Sequence, residues 1–376
     1  MQIEVPLLDL KEQNAALEAE FKAAFAEVLA SGYYITGPRV NELETAIASY
    51  VGADHAIAVS SGTDALLVAL MAAGIEAGDE VICPSFTFFA TAGCVHRLGA
   101  KPVFVDCDPV SYNIATHDLE RAVSPKTKAI IPVPLFGQTA DMNGVAEFAA
   151  RHNLHVIEDA AQAIGASLNG RKSGSFGLCG TFSFFPSKNL SGLGEGGMIT
   201  TNDADFAESC RLIRNHGMKP RYYHAMVGGN FRLDEIQAAL LRIKLDHLDS
   251  YAAKRQANAA YYTEQLQQLP VASERLILPA IGGDRVHIWN QYTLRVVGDG
   301  QRDALRQHLA DNHVASEIYY PVPLHRQECF ADVVDPSAEF PVSDELASQV
   351  LSIPVFPELK PEQLAHVVAQ ISAFFA

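Results

Sequence analysis

The sequence predicts an α/β protein: a large domain with a mainly parallel seven-stranded sheet between helices, then a smaller C-terminal α/β domain. Three observations predict it. Short apolar runs alternate with helical stretches from about Ile57 to Thr200, and strands separated by helices must cross over to pair, which makes a parallel sheet covered on both faces. The chain has 376 residues, 48% hydrophobic and 19% charged, enough for a sizeable core and two domains. Neither a short repeat nor a low-complexity tract breaks the pattern.

Taken in order, strands are expected at His55–Val59, Glu80–Cys83, Pro102–Asp106, Lys128–Val133, His155–Asp159, Thr181–Phe185 and Met198–Thr201. Helical segments such as Asp64–Ala73, Thr87–Leu98 and Asp141–Arg151 lie between the first five. After Asn230 the pattern changes. Arg232–Leu248 and Ser250–Leu269 read as long helices, with apolar positions three and four apart. A strand at Tyr292–Val297, a helix around Gln301–Asn312, a Pro-rich stretch from Tyr319 to Leu324 and a closing helix Pro361–Phe374 then suggest the smaller domain. The boundary is expected near residue 250. Residues 1–250 would form the large domain, with an N-terminal helical segment, and 251–376 the small one.

Composition excludes several classes. A net charge of −16 disfavours nonspecific binding to nucleic acid or to an anionic membrane. The start, Met1 to Val5, lacks a basic stretch leading into an apolar one, so no secretory leader is expected. The apolar run Ala65 to Ile75, flanked by Asp64 and Glu76, is too short to span a bilayer. A cytoplasmic protein is expected. Its six cysteines show no CxxC spacing and its thirteen histidines no HExxH pattern, so neither a disulfide framework nor a metal site is expected.

One window stands apart. Residues 170 to 197 hold eight of the 26 glycines, interrupted by Phe182-Ser183-Phe184-Phe185-Pro186-Ser187-Lys188. Apolar neighbours lower a lysine's pKa and glycines give access, which suits a Schiff-base lysine. A glycine-rich turn with a solvated lysine would read the same way. Ser60-Ser61-Gly62-Thr63-Asp64 joins the strand His55–Val59 to the helix beginning at Asp64. Such a junction offers backbone N–H groups and a positive helix end to a phosphate, or is simply an N-cap. Asp159 ends a strand, where ligands gather in open α/β sheets. It points away from the face that Glu158 takes, and it could pair with a ring nitrogen or cap the next segment. Phe88 could stack on a planar ligand or belong to the core. Together these are the parts that pyridoxal phosphate requires: a lysine, a phosphate cradle, a ring-nitrogen partner and a stacking ring.

With these motifs in view, the chain resembles the DegT/DnrJ/EryC1/StrS family of sugar aminotransferases, pyridoxal-phosphate (PLP) enzymes of the aspartate-aminotransferase fold type. The resemblance runs over almost the whole chain. It is carried by Thr36-Gly37-Pro38, Ser61-Gly62-Thr63-Asp64-Ala65-Leu66, Pro84-Ser85-Phe86-Thr87-Phe88, Glu158-Asp159-Ala160-Ala161-Gln162, the Phe182–Lys188 string with Gly194-Glu195-Gly196-Gly197, Arg214-Asn215-His216-Gly217, the run from Gly229 to Ala239, and Tyr320-Pro321. It implies that Lys188 forms the Schiff base with the cofactor and then shuttles a proton, and that Asp159 pairs with the ring nitrogen. Gln162 would contact the ring hydroxyl and Phe88 would stack on the ring. The Gly62 and Thr63 amides would hold the phosphate with the Ser183 hydroxyl, and Asn230 would reach the phosphate across a homodimer. Arg232, Tyr319 and Tyr320 are candidates for substrate contact.

The resemblance therefore implies transfer of an amine, from glutamate, to a keto carbon of a nucleotide-linked sugar for amino-sugar and polysaccharide precursors. Relatives that remove a hydroxyl instead carry His at the lysine position; Lys188 is retained here. Two alternatives stand beside this reading: a regulatory PLP-binding protein without turnover, and another reaction of the same fold type, such as sugar dehydration. The basic, aromatic segment Gly217 to His224 could meet a pyrophosphate or base, or be a solvated loop. Tyr319 stands where relatives that handle uronic-acid sugars have His, which weighs against such a substrate.

Overall fold

The computed structural model describes residues 3–271 and 273–376. Met1 and Gln2, which begin the stretch that lacks a leader pattern, and Ala272 lie outside the described residues. The main sheet is built from β1 (His55–Val59), β2 (Glu80–Pro84), β3 (Lys101–Val105), β4 (Thr127–Ile130), β5 (His155–Asp159), β6 (Cys179–Ser183) and β7 (Gly197–Thr201). Its order is β1-β7-β6-β5-β4-β2-β3. β2 runs parallel to β3 and β4, β4 to β5 and β5 to β6. Only β7 runs antiparallel to its neighbours, β1 and β6. The expected mainly parallel seven-stranded sheet between helices is what forms.

Alternation along the strands divides the core. Ile57, Val59, Val81, Cys83, Ile157 and Ile199 face the helices Gly62–Ala72, Ala90–Arg97 and Ala204–Arg214. Ala56, Ala58, Phe182 and Met198 face Pro38–Val51 and Glu235–Leu245, while Ile82, Ile130 and Val156 face Met142–His152. The helix Gly62–Ala72 is buried without a break from Ala65 to Leu70, as a helix apolar all round must be. That burial fixes its N-terminus against the sheet, at the strand ends where the candidate site lies.

The second half packs around a small antiparallel sheet of Leu276–Ile277, Tyr292–Val296 and Val350–Ile353. Helices Leu248–Leu266, Gln301–Asp311 and Pro361–Phe375 supply its core residues Tyr262, Leu305, Leu309, Val367 and Ile371. The same core takes in Val5, Phe86, Tyr112, Val133 and Phe136 from the first half. Val5 pairs in parallel with Val314, so the chain's beginning lies on its later part.

Several bounds differ from expectation for local reasons. β6 stops at Ser183 rather than Phe185. Beyond it the chain closes a loop: the Phe184 amide donates to Gly196 O at 2.8 Å and Gly192 N to Phe184 O at 2.7 Å, while Pro186 has no N–H to offer a ladder. The helix expected from Thr87 begins at Ala90, and the one expected from Arg232 begins at Glu235. Asn230 and Asp234 are held in extended bridges to Asn215 and Ile35, which delays that second helix.

Candidate active site

Asp159 is the last residue of β5 and is 4% exposed. Its amide donates to Pro132 O at 3.0 Å, which fixes where the strand ends. The Thr91 hydroxyl donates to Oδ2 at 2.7 Å, whereas Oδ1 has only the Ala161 amide at 3.4 Å. One oxygen is thus engaged by the protein and the other is largely available. Burial raises the carboxyl's pKa above its ordinary value, opposed by Thr91, Ala161 and the charge of Lys188. Glu158 takes the opposite face, as alternation requires. Its Oε2 accepts from the Gly174 amide at 2.7 Å, and burial pushes its pKa up to about 7.

Lys188 follows β6 in a turn closed by its own amide, which donates to Phe185 O at 2.8 Å. Phe182 and Phe184 beside it in sequence are buried. Burial lowers the lysine's pKa to about 8, with Asp159 opposing. An amine with that pKa is neutral in a useful fraction near neutral pH, which an ordinary lysine is not.

The Ser60–Asp64 junction opens the helix Gly62–Ala72. Ser61 is its N-cap, accepting from the Asp64 amide at 3.0 Å, and the Gly62 and Thr63 amides of the first turn have no intrahelical acceptor. The junction is thus an N-cap, and it leaves two donors. Gly62 is required by proximity, since a Cβ there would stand 2.6 Å from the Ser183 Cβ. A Cβ at Gly197 would stand 2.3 Å from Ser61 O. The two glycines let β6, β7 and the turn close around a shared space beside the Ser183 hydroxyl.

Gln162 anchors the other side. Its Oε1 accepts from the Phe136 amide at 2.8 Å and its Nε2 donates to the Tyr320 hydroxyl at 3.0 Å. Burial raises the Tyr320 pKa, partly offset by that hydrogen bond. The Phe88 ring is 6.0 Å from that of Tyr320 and 53% exposed, so Phe88 belongs to a wall rather than to the interior. Tyr319, half-buried, lies edge-on to Tyr320 at 5.8 Å. Arg232 donates through Nη1 to Asn215 Oδ1 at 2.9 Å, while its Nε is buried with no hydrogen-bond partner among the described residues. Asn230 is exposed, on the segment paired with Asn215.

The structure thus sets Asp159 within electrostatic reach of Lys188, joins Gln162 to Tyr320 and Phe88, and brings Gly62 against Ser183. Asn230 is at the surface of the same subunit. Sequence reasoning missed Thr91, whose bond to Asp159 joins residues 68 apart and leaves no signal in either local motif. Among the described residues, no group of three or more His, Cys, Asp or Glu could hold a metal ion, and no helix is long and apolar enough to cross a membrane.

Comparison with known proteins bears on the chemistry. A model of the DegT/DnrJ/EryC1/StrS aminotransferase family matches residues 15–372. A Geobacillus stearothermophilus protein named "Pleiotropic regulatory protein" is 49% identical over 371 residues, covering 99% of this chain and 98% of that one. A "UDP-N-acetyl-3-dehydro-alpha-D-glucosamine 3-aminotranferase" of Acidithiobacillus ferrooxidans is 44% identical, covering 98% of this chain and 97% of that one. The crystal structure of S. venezuelae DesV superposes with a TM-score of 0.94 at 42% identity, covering 99% of this chain and 98% of that one. A match of this length, on a fold shared from end to end, establishes that the chain belongs to the DegT/DnrJ/EryC1/StrS aminotransferase family, whose enzymes depend on pyridoxal phosphate.

Proposed function

We propose that this enzyme transfers an amino group from glutamate to a keto carbon of a nucleotide-linked sugar, with Lys188 holding and serving the cofactor. The observation that carries the reading is Asp159, buried at the carboxyl end of β5, within electrostatic reach of Lys188, whose pKa is lowered to about 8. The sugar-nucleotide substrate is supported by the name of the Acidithiobacillus relative. Glutamate as donor and a cytoplasmic location remain part of the proposal, on the sequence reading alone.

The residues present fit pyridoxal phosphate. The close approach at Gly62 sets the Gly62 and Thr63 amides beside the Ser183 hydroxyl, which accepts from the Phe185 amide at 3.3 Å and keeps its own hydrogen to donate to a phosphate. Asp159 Oδ1, the oxygen that Thr91 does not engage, would accept from a protonated ring nitrogen. Gln162 would approach the ring hydroxyl, and Phe88 would cover the ring face. When bound, the cofactor supplies the electron sink that stabilises a carbanion next to nitrogen. Lys188 Nζ, its pKa lowered to about 8, would hold a proton taken from the carbon next to nitrogen and give it back to the cofactor's own carbon. Arg232, whose Nη1 donates to Asn215 Oδ1, would contact the sugar or its pyrophosphate together with Tyr319 and Tyr320.

The site is proposed to be shared across a homodimer, with Asn230 reaching the phosphate bound by the other subunit. In support, Tyr33, Tyr34, Ile35, Tyr222, Tyr223, Met226 and Val227 are exposed apolar or aromatic residues, and Asn230 itself is exposed. Mixing Lys188→Ala with Asn230→Ala subunits, each impaired alone and able to exchange, is then expected to restore activity. A heterodimer would carry one site with both lesions and one with neither. No recovery would assign Asn230 to its own subunit's site.

The alternative of a regulatory protein that binds the cofactor without turnover is not favoured, since the Acidithiobacillus relative is named as an aminotransferase. Glutamate added to the PLP-loaded protein separates the two. Stoichiometric 2-oxoglutarate with loss of the PLP absorbance is expected for the aminotransferase, and no conversion would leave the regulator.

A further inference from the structure

Ser85, His325 and Asp344 are arranged like a nucleophile, base and carboxylate. Ser85 Oγ lies 2.5 Å from His325 Nδ1, and His325 Nε2 lies 3.1 Å from Asp344 Oδ1. A hydrolytic role fails on access. Ser85 is 0% exposed. Its amide already donates to Val105 O at 2.8 Å, and its carbonyl accepts from the Leu324 amide at 2.7 Å. A hydroxyl so enclosed cannot meet a substrate carbonyl.

What the chain of bonds does is join distant segments that both end in the candidate site. Ser85 directly follows β2. Three residues later comes Phe88, and six later Thr91, which donates to Asp159 at 2.7 Å. His325 comes five residues after Tyr320, whose hydroxyl accepts from Gln162 and whose ring lies 6.0 Å from Phe88 and 6.2 Å from Phe86. Asp344 lies in the first turn of the helix Pro341–Gln349 and is also gripped by Arg326, at 3.1 and 2.7 Å. The start of that helix is held from beyond β3. Asp106 accepts the Val342 and Ser343 amides at 2.9 and 2.8 Å and the Ser343 hydroxyl at 2.6 Å. The two strand ends thus clamp the segment that carries Tyr320.

The bonding pattern fixes the imidazole. An ionised Asp344 only accepts, so His325 Nε2 carries the hydrogen; Nδ1 is then the acceptor, and the Ser85 hydroxyl donates to it. Burial favours this neutral form and lowers the His325 pKa, with Asp344 opposing. The ring also packs against Phe340 at 4.4 Å between centroids. It is held on both edges and one face.

We propose that His325 is a positioning residue for the cofactor: by tying Ser85 to Asp344 it sets the Phe88 and Tyr320 rings in the register that receives the pyridine ring. This rests on the cofactor site proposed above. In the full-length apoprotein, His325→Phe keeps a ring against Phe340 but loses both hydrogen bonds, and Ser85→Ala removes one hydroxyl. Each is expected to bind PLP about tenfold more weakly, the scale of one or two buried hydrogen bonds, and to lose much of the circular dichroism induced in the bound cofactor. His325→Asn, which restores an acceptor for Ser85, is expected to recover most of both. PLP titration and visible dichroism well below each variant's Tm read this directly. A structural role alone would lower Tm and leave both readings unchanged, which would overturn the inference; if His325→Phe does not fold, Ser85→Ala decides by the same readings. Failure of the unmutated protein to bind PLP would instead overturn the site reading, and the inference with it.

Discussion

Lys188→Ala is expected to lose amine transfer by about 10⁴-fold, the upper end for removing a general base, while the phosphate cradle still binds PLP. The loss is large because one side chain both holds the cofactor and moves the proton. Borohydride reduction of the unmutated enzyme followed by peptide mapping should place the pyridoxyl group on Lys188, with capture rising with pH through a midpoint near 8 as the ammonium deprotonates. An ordinary lysine would give a midpoint near ~10.4. Lys244 is the internal control. It is buried, and its pKa too is lowered to about 8, but it donates to Ser191 at 3.0 Å and faces the charge of Glu358 rather than Asp159. An adduct on Lys244 would remove Lys188 from the mechanism.

Asp159→Asn is expected to keep cofactor binding and lose about 10²- to 10³-fold in kcat, the scale of removing a preorganised partner to developing charge. The geometry says why the isosteric change is severe. The Thr91 hydroxyl, which now donates to Asp159 Oδ2 at 2.7 Å, would claim the asparagine carbonyl. That turns the amide NH2 toward the ring nitrogen, where a donor favours the unprotonated ring and weakens the electron sink. Steady-state rates with PLP occupancy measured in parallel check it. Near-normal turnover at full occupancy would show that Asp159 is not the ring-nitrogen partner.

Particular residues show what the sequence made legible. β1 and β5 form between the residues expected, His55–Val59 and His155–Asp159: β1 reads as an apolar run after His55, whereas β5 is apolar at Val156 and Ile157 and ends in two buried carboxylates. The setting of Lys188 was visible because its glycines and aromatics are neighbours in the chain. Thr91 was not, because its bond to Asp159 joins a helix to a strand 68 residues away. The Gln162–Tyr320 hydrogen bond spans 158 residues, and nothing in either local motif reports the other. The antiparallel course of β7 was equally hidden, since strand direction depends on how the chain returns and not on composition. Phe88 is the intermediate case: its motif was visible, but only the ring contact with Tyr320 and its exposure place it on a wall rather than in the core.

The central claim is that Lys188 and Asp159 serve amine transfer to a keto sugar joined to a nucleotide. The most direct measurement loads the enzyme with the amine form of the cofactor and mixes it, in single turnover, with a panel of nucleotide-linked keto-sugars. The amine form's absorbance is followed and the product's mass recorded. The account predicts that at least one member discharges the cofactor within a single turnover and gains the mass of an amine in place of the keto oxygen, and that Lys188→Ala does neither. If instead no nucleotide-linked keto-sugar discharges the enzyme while a simple keto acid does, the proposed substrate class is wrong.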